Sequence, residues 1–138
     1  MPGGLSSSVD GYLVFGAVKL AGYSLAGLYL NRRYSGATAS FAVVGITRTV
    51  IGMIFGAGLA LLAFPFVKFG GLGILIYLVG LIPVRLVEWW IIIWLFYDRS
   101  MITKQKDWQN VGLGTALSFG LDIPALIGFV ATGGFWIC

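Results

Sequence analysis

Four stretches of this chain stay apolar for about 20 residues or more, the length at which a helix rising 1.5 Å per residue crosses roughly 30 Å of hydrocarbon. They run from Gly11 to Leu30, Phe41 to Phe64, Leu72 to Tyr97 and Val111 to Trp136. A soluble helical fold would need polar faces that these segments lack. The connections "NRRYSGATAS", "PFVKFGG" and "DRSMITKQKDWQN" are short, so consecutive helices should be antiparallel neighbours. The expected fold is an all-α integral membrane protein: one transmembrane domain over residues 1–138, four helices in an antiparallel bundle, both termini outside. Thr38 or Ser40 is positioned to cap the second helix, Pro65 to end it, and Gly70 and Gly71 to turn the chain into the third.

Orientation follows from the basic residues. The first and third loops hold Arg32, Arg33, Arg99, Lys104 and Lys106, against Lys68 alone on the other side, which makes loops 1 and 3 cytoplasmic. The membrane is then a plasma or inner membrane. Trp94, Tyr97 and Trp108 fall at the cytoplasmic boundary, and Tyr12, Phe66, Phe69 and Trp136 at the opposite one, as two aromatic belts.

With 59% hydrophobic and 10% charged residues, the net charge of +4 reads as topology and not as a nucleic-acid surface. The sequence has no histidine and one cysteine, Cys138, which excludes His-based zinc or haem ligation, Ser-His-Asp chemistry and intrachain disulfides. Cys138 has no prenylation context, and the start "MPGGLSSSVDGYLVFG" lacks the basic region of a secretory signal peptide. No cofactor or metal site is expected.

Every span nevertheless carries an ionisable residue: Lys19, Arg48, Arg85 with Glu88, and Asp122. Each costs about 2.5–3.5 kcal/mol on insertion scales, so these side chains should face one another and not lipid. Helical spacing agrees. Arg48 shares a stripe with Gly45, Gly52 and Gly56, glycines that permit close helix packing. Lys19 lies with Gly16, Tyr23 and Ala26; Asp122 with Thr115, Ser118 and Ala125; and Tyr77, Leu81, Arg85, Glu88 and Ile92 share one face. Lys19, Arg85 and Asp122 stand near the centres of their spans. Arg48 stands nearer the boundary, where snorkelling to the headgroups competes with a place in the network.

Pro83 and Pro124 flank Arg85 and Asp122, each removing an intrahelical hydrogen bond and marking a candidate kink. Three cations against two acids leave one excess positive charge, to be met by a lipid phosphate, a small anion or a partner's acid.

Three functions fit. The simplest is a non-enzymatic subunit of a membrane assembly, with the buried charges as glue and Gly-rich faces for docking. A small oligomeric ion- or proton-coupled transporter or channel would use Glu88 or Asp122 as its carboxylate. An intramembrane lipid-modifying enzyme would use one of them as general base, with Ser118 better read as a packing hydroxyl. The partners implied are the bilayer, further copies or other membrane subunits, and an anionic lipid or small anion.

Overall fold

The computed structural model describes residues 5–35, 39–63, 65, 71–100 and 104–132; side chains at 5–12, 14, 60, 63, 73, 74 and 124–132 are outside that description. Thr38, Phe66, Lys68, Phe69, Gly70, Trp136 and Cys138, and the side chains of Tyr12 and Pro124, therefore lie outside the described residues. Within them the chain folds as four helices: α1 (Leu5–Arg33), α2 (Phe41–Ala63), α3 (Gly71–Phe96) and α4 (Lys104–Thr132).

Two helices are longer than their apolar lengths imply. α1 begins within "LSSSVD" and α4 within "KQKDWQN", because hydropathy marks only the part of a helix suited to hydrocarbon while backbone hydrogen bonding continues through polar residues. By length and composition alone, Phe41–Leu59 of α2 and Leu75–Phe96 of α3 are the two described stretches apolar enough to cross a bilayer. The expected four spans are thus met by two on that measure. α1 interleaves glycine, serine, tyrosine and lysine with its apolar residues, and α4 opens on charged and amide side chains.

The helix ends follow local chemistry. Ser40 sits at the N-cap of α2, its carbonyl accepting from the Val44 N–H at 3.0 Å. α2 stops at Ala63, shortly before Pro65. After α3, the Asp98 carboxylate accepts from the Ser100 N–H at 3.1 Å and hydroxyl at 2.8 Å, closing a turn that breaks the helix. α3 runs unbroken through Pro83. Pro83 and Val79, whose carbonyl loses its donor, both lie on the exposed side, away from Arg85.

Sequence neighbours pack on one another, and α4 returns to α1 to close a ring. Gly27 and Gly45 let α1 and α2 approach closely: a β-carbon at Gly27 would meet the Phe41 backbone at 3.1 Å, and one at Gly45 would collide with Ser24. Moving along α1 from Lys19 to Tyr34, just past its end, is moving back along α4 from Asp122 to Asp107. An apolar cluster of Tyr23, Leu30, Val44, Trp89, Ile92, Ile93 and Val111 fills the space between these two polar ends. Trp89 is its anchor, edge-on to Tyr23 and lying where α4 has only Gly114. The α1–α4 seam is looser, with an apolar groove of about 550 Å³ bordered by Gly22, Leu25, Leu117 and Leu121.

Candidate functional site: a buried chain of ion pairs

The inner faces are polar where a soluble bundle would be aliphatic. Lys19, Arg48, Arg85, Glu88, Ser118 and Asp122 are all buried, with Arg48 and Glu88 at 0% exposure. The exterior carries Leu13, Ile46, Ile54, Leu61, Leu75 and Ile123, each more than half exposed.

The five charges form one alternating chain. Lys19 Nζ meets Asp122 Oδ1 at 2.6 Å, and Asp122 Oδ2 accepts from Arg85 Nη2 at 3.2 Å. Arg85 Nη1 donates to Glu88 Oε2 at 3.1 Å, and the same oxygen meets Arg48 Nη2 at 2.6 Å. All four helices contribute, and each acid is held between two cations. Arg48 does not snorkel: its guanidinium lies 4.6 Å from the Tyr23 ring centroid and 5.2 Å from that of Trp89, a cation–π seat that partly replaces lost hydration. Burial of five charges is costly, and pairing with added hydrogen bonds is what offsets it.

Ser118 stitches this chain to the apolar cluster. Its oxygen accepts from Arg48 Nη2 at 3.1 Å and Trp89 Nε1 at 2.8 Å, and its hydroxyl donates to the Gly114 carbonyl at 3.0 Å. One donor and two acceptor sites are all a hydroxyl has, so Ser118 is fully engaged and not poised as a nucleophile. Gly45, Gly52 and Gly56 are all buried, but with different jobs. Gly45 admits α1, whereas a β-carbon at Gly52 would stand 2.9 Å from Arg48 Nη1 and 3.6 Å from Arg85 Nη1. Gly52 makes room for guanidinium groups and not for a helix backbone.

Some donors remain over. Among the described residues, Arg48 Nε and Nη1, Arg85 Nε and the Tyr23 hydroxyl have no hydrogen-bond partner. A cavity of about 130 Å³ opens beside them, between α1, α2 and α3, lined by Lys19, Tyr23, Thr49, Gly52 and Arg85 with Phe15, Gly16 and Met53.

A second polar layer went unread in the sequence. The Tyr34 hydroxyl donates to Asp107 Oδ1 at 2.6 Å and accepts from Asn110 Nδ2 at 2.8 Å, all three groups buried. Burial, then the Asp107 carboxylate, push the Tyr34 phenol well above its usual range. Around it Lys106 Nζ donates to the Arg33 carbonyl at 2.6 Å, and Tyr97 donates to Asn31 Oδ1 at 2.9 Å. Tyr97 is thus half-buried with its hydroxyl turned inward, while Trp94 and Trp108 are exposed at 42% and 59%. The missed signal is the spacing of Asp107, Asn110, Gly114, Ser118 and Asp122, a single inner stripe along α4.

No family model matches this sequence, and neither a curated protein nor a solved structure matches it.

Proposed function

We propose that the chain is a polytopic membrane protein, a bundle of four antiparallel spans that serves as a non-enzymatic subunit of a membrane assembly. One observation carries this reading: charges are inside and large aliphatic side chains are outside. In water both choices cost free energy, since apolar surface is left exposed and ions are desolvated. In a bilayer the exterior is solvated by lipid, and the interior is the only place for the charges. The apolar lengths of α2 and α3 support it. So do the stacked, exposed Trp90 and Trp94 near the end of α3, and the exposed Arg32, Arg99 and Lys104 in and beside loops 1 and 3, which would face the cytoplasm.

A subunit role is supported by how the network closes on itself. Three of its four ion pairs link α1 to α4, α2 to α3 and α3 to α4 within one chain, which suits a lock that fixes the bundle. Ser118 is engaged on all sides, which counts against an acyl-transfer enzyme. Purification from native membranes in mild detergent tests the reading. The expected result is retention in the membrane fraction after alkaline extraction, with companion chains at fixed stoichiometry. A lone homo-oligomer whose Asp122→Asn variant loses uptake or conductance would replace the subunit with a transporter. Release into the soluble fraction would sink the membrane assignment itself.

A further inference from the structure

We propose, resting on the membrane reading above, that the groove between α1 and α4 holds one anionic phospholipid, an acyl chain lying along it and the phosphate at its cytoplasmic end beside Arg33. The groove measures about 550 Å³. Its floor is formed by buried side chains, Leu30, Trp89 and Asn110, and its walls by the exposed Leu25, Tyr29 and Leu113. From Asn110 to Leu121 the α4 wall runs roughly 16 Å at helical rise, close to one leaflet's half of a hydrocarbon core about 30 Å thick.

Shape favours a flexible chain over a helix. A helix is about 10 Å across and docks in membranes on small residues that let backbones meet. Here those residues are taken, because Leu121 lies over Gly22 and the Trp89 indole over Gly114. What stays open is a slot between branched and aromatic side chains.

Charge marks one end of that slot. Arg33, the last residue of α1, spans the seam where Leu30 and Asn110 end the groove: Nη1 donates to the Tyr29 hydroxyl at 2.7 Å and Nη2 to Gln109 Oε1 at 3.2 Å. Both partners are neutral, so they fix the guanidinium in place without cancelling its charge. Two of its five N–H donors are used in this way, and the rest can serve phosphate oxygens. The Tyr29 hydroxyl, an acceptor toward Arg33, keeps its own proton to donate. Lys106 Nζ crosses the same seam to the Arg33 carbonyl at 2.6 Å, while the acid of this layer, Asp107, is buried against Tyr34. An apolar trough that ends in two cations, on the side of loops 1 and 3, complements a lipid with a negative headgroup in the cytoplasmic leaflet.

The test uses the full chain purified in mild detergent and titrated with phosphatidylglycerol or phosphatidylcholine in mixed micelles. Phosphatidylglycerol should raise the thermal midpoint saturably, as expected of a ligand that binds the folded state, with one lipid per chain retained in the native mass spectrum. Its half-saturating mole fraction should lie about tenfold or more below that of phosphatidylcholine. Arg33→Gln should raise that fraction about tenfold or more, and Arg99→Gln, an exposed cation outside the groove, should leave it unchanged. Ala26→Phe, which fills the groove from a lining position, should abolish the gain. Equal responses to the two lipids would overturn the proposal, as would a full response in Ala26→Phe. So would equal losses in Arg33→Gln and Arg99→Gln, which mark diffuse surface charge. A companion polypeptide that is lost on Ala26→Phe, with no lipid in the wild-type spectrum, would assign the groove to a partner helix and overturn the lipid site. Alkaline extraction separates the two claims: a chain released by it fails the membrane reading, whereas a chain that stays with the membrane yet treats both lipids alike fails the lipid site alone.

Discussion

Glu88 and Arg85 are adjacent links in the ion-pair chain, yet their removal should have unequal consequences. Glu88 Oε2 is the acceptor shared by Arg48 at 2.6 Å and Arg85 at 3.1 Å, and it is the carboxylate that holds Arg48. Glu88→Gln keeps the shape and strands a fully buried guanidinium, leaving three cations against one acid. Breaking a buried pair from one side costs about 3–5 kcal/mol. Arg85→Met removes two longer contacts, at 3.1 and 3.2 Å, but Glu88 keeps Arg48 and Asp122 keeps Lys19. Two cations then face two acids. The loss is that of hydrogen bonds to charged groups, eased by the better balance, or roughly 1–3 kcal/mol. Glu88→Gln should therefore be the more damaging by on the order of 2 kcal/mol. The double variant Glu88→Gln with Arg48→Met should recover part of the loss, since no charge is left stranded. Reversible unfolding in mixed detergent micelles, followed by far-ultraviolet circular dichroism, measures all three. An Arg85→Met variant as unstable as Glu88→Gln, or strict additivity in the double variant, would refute the alternating-chain account.

The glycines of α4 offer a paired comparison in the same assay. Gly114→Ala drives a methyl into the Trp89 indole and should cost about 1–3 kcal/mol, whereas Gly112→Ala meets nothing within 4 Å and should gain up to about 1 kcal/mol from helix propensity. Tyr34→Phe leaves Asp107 and Asn110 buried with fewer partners and should cost about 1–3 kcal/mol near neutral pH. Because the Tyr34 phenol is raised from 10.0 in the folded state, it favours folding fully below about pH 10 and loses that contribution as pH rises further. The thermal midpoint of the wild-type chain should accordingly fall more steeply above that pH than that of Tyr34→Phe. For orientation, Ser100→Cys in a Cys138→Ser background should react with an impermeant thiol reagent from the cytoplasmic side alone; reaction from outside intact cells would reverse the topology.

The helices and their inner faces could be read from the sequence because one rule governs both. A charge in a long apolar helix has to face inward, and the steps of three and four through Arg48 or Arg85 then name the rest of the face. The pairing between helices could not be read, whereas the Arg85–Glu88 contact within α3 follows from its spacing of three. That Arg48 would reach Glu88, and Arg85 bridge two acids, depends on helix rotation and approach, which side-chain spacing on one helix does not encode. Tyr34, Asp107 and Asn110 escaped for another reason. Hydropathy sees "KQKDWQN" as a loop, although the stripe from Asp122 through Ser118 and Gly114 continues into it at unbroken helical period. Periodicity carried the information that polarity hid.

The two polar layers also account for why the bundle has one register. As many residues separate Lys19 on α1 from Tyr34, just past its end, as separate Asp107 from Asp122 on α4, roughly four turns in each case, so both contacts form together. A slip of α4 by one residue turns its whole stripe by about 100° and breaks both at once. Aliphatic packing alone offers no such penalty where lipid solvates misplaced leucines as well as a core does. The layers need not be strongly stabilising to serve this end, since a buried polar set chooses among arrangements by making every other one leave charges unmatched. On that reasoning, replacing Asp107, Asn110 and Tyr34 together by Leu, Leu and Phe, so that no member of the layer is left without its partner, should cost little in unfolding free energy. It should instead weaken the definition of the α1–α4 seam, seen as more than one product when cysteines placed across that seam are cross-linked. A single product, identical to that of the unaltered layer, would show that the ion-pair chain sets the register alone.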